Sequence, residues 1–324
     1  MEYPIAFPPA DPQVDLSIII VSWNVRDLLR DCLAAVGEEA SGASGQVEVI
    51  VVDGDSADGS ADMVAEEFPE LVLVRCDENV GFPRGNNIGL AKATGRYILL
   101  LNPDTVVQPN ALSRMIAFLD EHQDVGLVGA QLLNGDGSIQ HSRYRFPRVV
   151  TAYFESTWLQ GIAPQSVIDH YHMNDMPLDR PVDADWLNGA CLMTRREIIE
   201  QVGGLDEGYF MYSEELDWCR RIKEAGWRIV YEPAAQVTHF VGQSSEQAVT
   251  ARHINFQRAK LRYFRKYHGA LAAGLLRAFL LKSYLWQIIL EGAKGLVGHK
   301  RALRWQRVGS YWAVVKSGLR PAGY

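Results

Sequence analysis

The chain contains no C-x-x-C pair: its four cysteines, Cys32, Cys76, Cys191 and Cys219, are scattered along 324 residues. That spacing excludes a zinc ribbon and a disulfide scaffold and fits a reducing compartment. Neither G-x-G-x-x-G nor G-x-x-x-x-G-K-[ST] occurs, so the fingerprints of a Rossmann dehydrogenase and of a P-loop ATPase are absent. Residues 1–15 hold prolines and acids in no basic-then-apolar order, and no secretory signal is expected there. Internal repeats and low-complexity stretches are also lacking. One region is nearly free of acids: between Ala251 and Tyr324, 15 Lys and Arg face Glu291 alone, a charge of +14. With −7 overall, the preceding part carries −21. An acidic body with a basic tail suggests two environments, and an anionic membrane surface or a nucleic acid is the partner such a tail invites.

What is present is a chain with a core. It is 48% apolar and 22% charged, as expected for a globular protein of one large domain plus an appendage, or two modest domains. Short β-branched, nearly continuous apolar runs lie at 16–21, 47–52, 71–74 and 97–101, with helical spacing at 26–36, 58–68 and 86–93 between them. Short buried strands alternating with helices predict an α/β fold, a mainly parallel sheet flanked by helices. A helix is expected at 109–122, strands at 125–133 and 186–194, a helix at 213–225, and strand-like segments at 227–231 and 237–240. Between 134 and 183 the pattern weakens. His170 and His172 form an H-x-H pair there, read as solvent-facing in preference to a metal site.

The run 97–101 stops at Asn102-Pro103-Asp104. Proline cannot donate to a ladder and stiffens the turn, so Asp104 is presented at the carboxyl edge of the sheet. That edge is where open α/β sheets bind ligands, and a carboxylate there suits a metal ion; an ordinary strand-ending turn is the alternative. The first two strands end in Ser22-Trp23-Asn24 and in Asp53-Gly54-Asp55. Acids at such ends accept hydrogen bonds from a nucleobase and from ribose hydroxyls, while Ser56 or Asp58 serves as a helix cap in the plainer reading. In Gly81-Phe82-Pro83-Arg84-Gly85-Asn86-Asn87, a tight loop enters a helix, and its backbone N–H groups with Arg84 can face a phosphate.

Residues 51–60 (VVDGDSADGS), 79–89 (NVGFPRGNNIG) and 100–105 (LLNPDT), followed by 187–193 (LNGACLM), 203–221 (GGLDEGYFMYSEELDWCRR) and 239–244 (HFVGQS), occur in one order. In that order they resemble the signatures of family-2 glycosyltransferases with the A-type fold, especially the bacterial rhamnosyltransferase-like branch. The resemblance covers about residues 15–245. It implies a catalytic domain at 15–245, with a nucleotide-binding half at 15–105 and an acceptor half at 106–245, followed by a helical, basic-amphipathic region at 246–324. Nucleotide contacts would come from Ser22, Asn24, Asp53, Asp55, Arg84, Asn87 and Asn102. Asp104 matches the last acid of the family's metal-binding D-x-D, whose first position here is Asn102. His239 matches a later histidine that contacts the metal, Mg²⁺ or Mn²⁺, or the diphosphate. Asn188, Gly189 and Ala190 would lie on the acceptor side. The base falls in 213–217, where the family has Glu-Asp and this chain has Glu214-Glu215; Glu215 takes the role, with Glu214 and Asp217 as alternatives.

The implied activity is metal-dependent inverting transfer of a sugar, rhamnose on the subgroup likeness, from a nucleotide-diphosphate donor to a lipid-linked or polysaccharide hydroxyl. An inactive nucleotide-sugar-binding scaffold and a sugar nucleotidyltransferase are the competing readings. In the tail, 271–290 is strongly apolar but interrupted by Arg277 and Lys282, each costing about 2.5–3.5 kcal/mol at a bilayer centre. An interfacial helix is therefore expected, with Leu275, Leu276, Phe279 and Trp286 dipping in, and a soluble bundle is the alternative. No recognition module precedes the basic run, so nucleic acid is not expected. The protein would sit peripherally on the cytoplasmic face of a membrane.

Overall fold

The computed structural model describes residues 4–41, 45–155, 157–240, 249–298 and 300–320. Its strands are β1 (Val14–Ser22), β2 (Gln46–Asp53), β3 (Val72–Arg75), β4 (Tyr97–Leu101), β5 (Thr105–Val107), β6 (Val125–Leu133), β7 (Ile139–Gln140), β8 (Arg143–Tyr144), β9 (Val182–Asp183), β10 (Trp186–Leu187), β11 (Cys191–Arg195) and β12 (Arg228–His239). Its helices are α1 (Arg26–Ser41), α2 (Ser60–Glu67), α3 (Phe82–Leu90), α4 (Ala111–Glu121), α5 (Val149–Phe154), α6 (Gln165–His172), α7 (Arg196–Val202), α8 (Glu214–Glu224), α9 (Val249–Leu296) and α10 (Arg301–Ser317). Two compact units emerge. The first holds Met1–Phe146, His172–Phe210 and Glu214–Ser244, the second Pro147–Tyr171, Met211–Ser213 and Ser245–Tyr324. The last part of the 239–244 motif, from 241, lies outside the described residues.

The first unit is built on one sheet of order β3-β2-β1-β4-β11-β6-β12-β5. Strands β3 through β4 are parallel, as the apolar runs lead one to expect. Beyond β4 the sheet is mixed, because β11 runs antiparallel between β4 and β6. All five residues of β11 are buried, and a strand buried on both faces reads the same in either direction, so direction was not encoded in its pattern. Alternate side chains of β1 enter two cores: Leu16, Ile18 and Ile20 on one face, Ile19 on the other.

Three boundaries differ from the sequence reading. The expected strand 186–194 is cut at 188–190, where β10 leaves to pair with β8 while β11 joins the main sheet. Segments 227–231 and 237–240 fuse into β12 across a register shift between Glu232 and Gln236, where Pro233 cannot donate to the ladder. Helix α3 begins at Phe82 with Pro83 in its first turn, a position that suits a residue without an N–H.

In the second unit, α9 is broken at Gly269, whose φ of 86° is outside the helical region. The tail's lone acid, Glu291, is buried and clasps the following helix through Arg304 at 2.6 Å and Arg307 at 3.6 Å. Along α9, Leu271, Leu275, Leu285, Ile289 and Leu296 are all exposed. At about 100° per residue they fall within roughly 40° of one line. By length and composition α9 could cross a bilayer.

Helix α3 lies flush on β1 because two glycines allow it. A Cβ at Gly85 would come within 2.7 Å of Val21 Cγ1, and one at Gly89 would overlap Ile19 Cγ2. Gly89→Ala is expected to cost about 1–3 kcal/mol, the usual penalty of overpacking. Urea unfolding followed by circular dichroism measures it, and an unchanged midpoint would contradict the flush packing.

Candidate active site

Ser22 pairs with Asp53 across β1 and β2, and Ile20 with Leu101 across β1 and β4, so Ser22, Asp53 and Asn102 emerge on one rim. Each leaves a polar atom buried with no hydrogen-bond partner: Ser22 Oγ, Asp53 Oδ2 and Asn102 Oδ1. Buried polar atoms are almost always satisfied, so three orphans on adjacent strand ends mark a place where a ligand supplies the partners. The other oxygen of Asp53 accepts the Ser56 N–H at 2.9 Å. Asn24, at φ 53°, accepts the Ala57 N–H at 2.7 Å and donates its own N–H to Ser56 Oγ at 2.9 Å. The two loops are thus tied into one ledge, with Asp55 exposed on it at φ 61°. Asp58 takes the plainer of its two roles: it accepts N–H groups from Arg26 at 2.8 Å and Ser60 at 3.0 Å, at the starts of α1 and α2.

Asp104 and His239, 135 positions apart in the chain, meet. His239 Nε2 stands 3.3 Å from Asp104 Oδ1, and both side chains are buried. Gln140 Oε1 lies 2.8 Å from His239 Nδ1 and fixes the ring so that Nε2 faces the carboxylate. An imidazole nitrogen and a carboxylate oxygen converge there, both of them groups that can ligate a divalent cation. Asn102 Nδ2 is 3.5 Å from the same ring nitrogen. Among the described residues no group of three or more His, Cys, Asp or Glu assembles. Asp104, His239 and the orphaned amide oxygen of Asn102 nevertheless make an O/N/O donor set that fits a hard divalent cation completed by substrate phosphates.

The turn at 188–190 connects this rim to α8. Asn188 Oδ1 accepts the Ala190 N–H at 3.0 Å, and Ala190 O accepts the Asn102 N–H at 2.9 Å. On its other side Gly189 faces Glu215, whose Cδ would lie 3.8 Å from an added Cβ. Helix α8 starts abruptly after Tyr212 and Ser213, both left-handed at φ 75° and 64°, a strained entry of the kind found at functional sites.

The three acids of its first turn have different surroundings. Glu214 is buried with Oε2 unpartnered, and burial first, then the charges of Glu215 and Asp217, holds its carboxyl well above the usual carboxylate range. Asp217 is fully buried and ion-paired with Arg221 at 3.0 Å, with the Tyr209 hydroxyl 3.4 Å away. Glu215 is half-buried. Glu214 and Asp217, three residues apart, thus share the inward side of the helix.

Two further expected nucleotide ligands, Asn87 and Arg84, lie on α3 and differ in their surroundings. Asn87 is buried and already engaged: its amide donates to Leu205 O and Glu207 Oε1, both at 2.9 Å, and its oxygen accepts the Leu205 N–H at 2.9 Å. It pins the 203–207 loop, because a buried amide binds whatever backbone lies against it. Arg84 is exposed, 3.5 Å from Glu78. The sequence reading missed Gln140, which carries no motif, and an aromatic cluster beside the 188–190 turn. There Tyr144 stacks on Trp186 at 4.3 Å, and His141 meets Tyr144 and His172 edge-on, both at 4.7 Å. His172, read from sequence as solvent-facing, is half-buried in this cluster. Burial and the nearby His172 push the His141 ring down to about 4.

A mixed sheet whose parallel strands end at a polar rim, with a carboxylate at one strand end, defines the A-type glycosyltransferase fold. Its solved relatives include the mannosyltransferase PcManGT from Pyrobaculum calidifontis in complex with GDP-Man and Mn²⁺. That structure is 17% identical, with a TM-score of 0.55 over 98% of this chain and 90% of that one. The family model for glycosyl transferase family 2 matches residues 17–219, and the chain belongs to that family. Among curated proteins it is 28% identical over 212 residues to an N-acetylglucosaminyl-diphospho-decaprenol L-rhamnosyltransferase of Mycobacterium tuberculosis, 61% of this chain and 68% of the relative. It is 30% identical over 169 residues to the rhamnosyltransferase WbbL of Escherichia coli, 49% of this chain and 61% of that protein. These names support the rhamnosyltransferase-like branch.

The raised carboxyl of Glu214 has a consequence for stability. Between the unfolded and folded values the native state binds the extra proton, so stability is fully present below the unfolded value and is lost as pH rises through the folded one. Glu214→Gln removes that dependence. Denaturant midpoints at pH 5 and pH 8 should lie closer together in the variant than in the parent; an equal fall in both would contradict a protonated Glu214.

Proposed function

We propose that the chain is a metal-dependent inverting glycosyltransferase that moves a sugar, rhamnose by the names of its relatives, from a nucleoside-diphosphate donor to a saccharide hydroxyl on a lipid-linked or polysaccharide acceptor. The observation that supports it most is the 188–190 turn, which touches Asn102 on the rim and Glu215 on α8. A donor held at the rim would thereby present its anomeric carbon beside a carboxylate. Ser22, Asn24, Asp53 and Asp55 hold the nucleoside, and the orphaned oxygens of Ser22 and Asp53 receive its donors or hydroxyls. Asp104, His239 and Asn102 would hold Mg²⁺ or Mn²⁺, which supplies charge neutralisation for the diphosphate.

Glu215 takes the proton of the acceptor hydroxyl while that oxygen attacks the anomeric carbon, and the bond to the diphosphate breaks on the opposite face, inverting the configuration. Glu214, buried beneath it, is kept protonated, and Asp217 is neutralised by Arg221, so Glu215 is the acid of the three suited to act as base. Asn188, Gly189 and Ala190 line the acceptor side, Arg84 faces the donor's phosphates, and Asn87 holds the 203–207 loop. General-base help is worth ~10²–10⁴-fold. Glu215→Gln should lower transfer by that order with nucleotide affinity kept, as read by turnover under saturating substrates beside calorimetric titration. Near-normal turnover would contradict the assignment.

The catalytic domain at 15–245 would work from the cytoplasmic face of the membrane, held there peripherally by the region 246–324. Of the residues expected to dip into a membrane, Leu276 is buried in the helical unit, but the exposed stripe on α9, with Leu275 in it and Lys282 set among its leucines, supports an interfacial helix facing anionic headgroups. A Leu275→Glu, Ile289→Glu double variant should float with phosphatidylglycerol vesicles several-fold less than the parent; equal flotation would remove the stripe from membrane binding.

A further inference from the structure

The second unit contains a cavity of about 430 Å³, within the ~300–1,000 Å³ range of small-molecule sites. Its walls carry five aromatic side chains, Trp158, Tyr212, Phe256, Tyr284 and Tyr311, and polar ones among which Arg252 brings a guanidinium. Tyr284 and Tyr311 lie 5.5 Å apart, and Tyr212 meets Phe256 edge-on at 5.6 Å. Gln257 also lines it, 2% exposed. Its Nε2 reaches the Tyr284 hydroxyl at 3.4 Å, but its Oε1 is buried without a partner. His253, edge-on to Tyr284 and Tyr311, is held below its usual value by burial and then by Arg252.

Aromatic walls around a buried acceptor oxygen are complementary to a molecule with apolar C–H faces and hydroxyl donors. We propose that this cavity binds a saccharide unit of the acceptor, with a ring packed on the aromatic walls and a hydroxyl donating to Gln257 Oε1. The proposal rests on the transfer reading above and names where the acceptor is gripped. An isoprenoid chain suits the site less well, because it would seal the Gln257 oxygen against hydrocarbon with no donor, the arrangement that buried polar atoms avoid. Tyr212 adds a link in the chain itself. It lines the cavity and sits two residues before Glu214, across the left-handed Tyr212–Ser213 turn. Filling the cavity would fix the residue from which the acid-bearing helix springs.

The test is saturation-transfer NMR on the full chain with the methyl glycosides of N-acetylglucosamine, glucose, galactose and rhamnose, and with geranyl diphosphate as the sugar-free isoprenoid. At least one glycoside should show saturated ring protons. Its affinity should fall about tenfold in Gln257→Leu, the scale of one lost buried hydrogen bond. Because Gln257 is buried, Trp158→Ala is run beside it: that side chain is 48% exposed, so its removal disturbs the packing less. It should lose affinity similarly. Calorimetric binding of a nucleoside diphosphate should be equal in all three proteins. No glycoside bound, equal glycoside affinity in parent and variants, or geranyl diphosphate bound through Gln257 and Trp158 in place of any sugar would overturn the proposal. Failure of the parent to bind any nucleoside diphosphate would strike the transfer reading instead, and the glycoside result would stand apart from it.

Discussion

A polar atom taken out of water and given no partner carries a cost, and the rim of this sheet accepts that cost three times in succession. Ser22 Oγ, Asp53 Oδ2 and Asn102 Oδ1 are buried and unmatched at the ends of three neighbouring parallel strands. The parallel register places them side by side, and the glycines of α3 let a helix close against β1 just behind them. What surrounds them is strongly determined. The Asn24–Ala57 and Asp53–Ser56 hydrogen bonds lock the ledge, and Gln140 sets the imidazole of His239 against Asp104. The unmet capacity is therefore concentrated where a diphosphate nucleotide would bring donors, hydroxyls and a cation.

A second constraint governs the acids of α8. Three carboxyl groups within four residues cannot all ionise at a buried helix start, and the structure separates them by environment. Arg221 neutralises Asp217, burial raises the carboxyl of Glu214 well above the usual range, and Glu215 is left beside the Gly189 turn. Distinct surroundings for like groups are how one site obtains distinct roles. In the second unit the same economy of acids appears differently: Glu291, the tail's lone acid, joins two cationic helices while Leu271, Leu275, Leu285, Ile289 and Leu296 stay outside.

Much of the parallel half was legible, because short buried strands alternating with helices leave few arrangements open. The runs at 16–21, 47–52 and 97–101 fall inside β1, β2 and β4, and the turn at Asn102-Pro103-Asp104 stops its strand where proline must. Direction and pairing were not legible. β11 is uniformly buried and gives no sign that it runs antiparallel, and the break at 188–190 depends on an Asn188 side chain bonding to its own turn. Of the site, the acids at strand ends could be read because turn chemistry exposes them. Asn87 misled because an Asn at a helix start suits a ligand and a buried staple equally well, and its partner, Leu205, lies 118 residues away. Gln140 and the cavity around Gln257 carried no local signal at all, since both exist only through packing.

Ligand-induced stabilisation tests the account most directly. A ligand that binds the folded state raises its stability by mass action, about 2.7 kcal/mol at a hundred times Kd. Thermal unfolding should therefore shift upward with a nucleoside diphosphate and Mn²⁺, progressively with concentration. In Asp53→Ala the shift should largely vanish. A midpoint unmoved by every nucleoside diphosphate, or an equal rise in the Asp53→Ala chain, would contradict the claim that the orphaned rim is a nucleotide site.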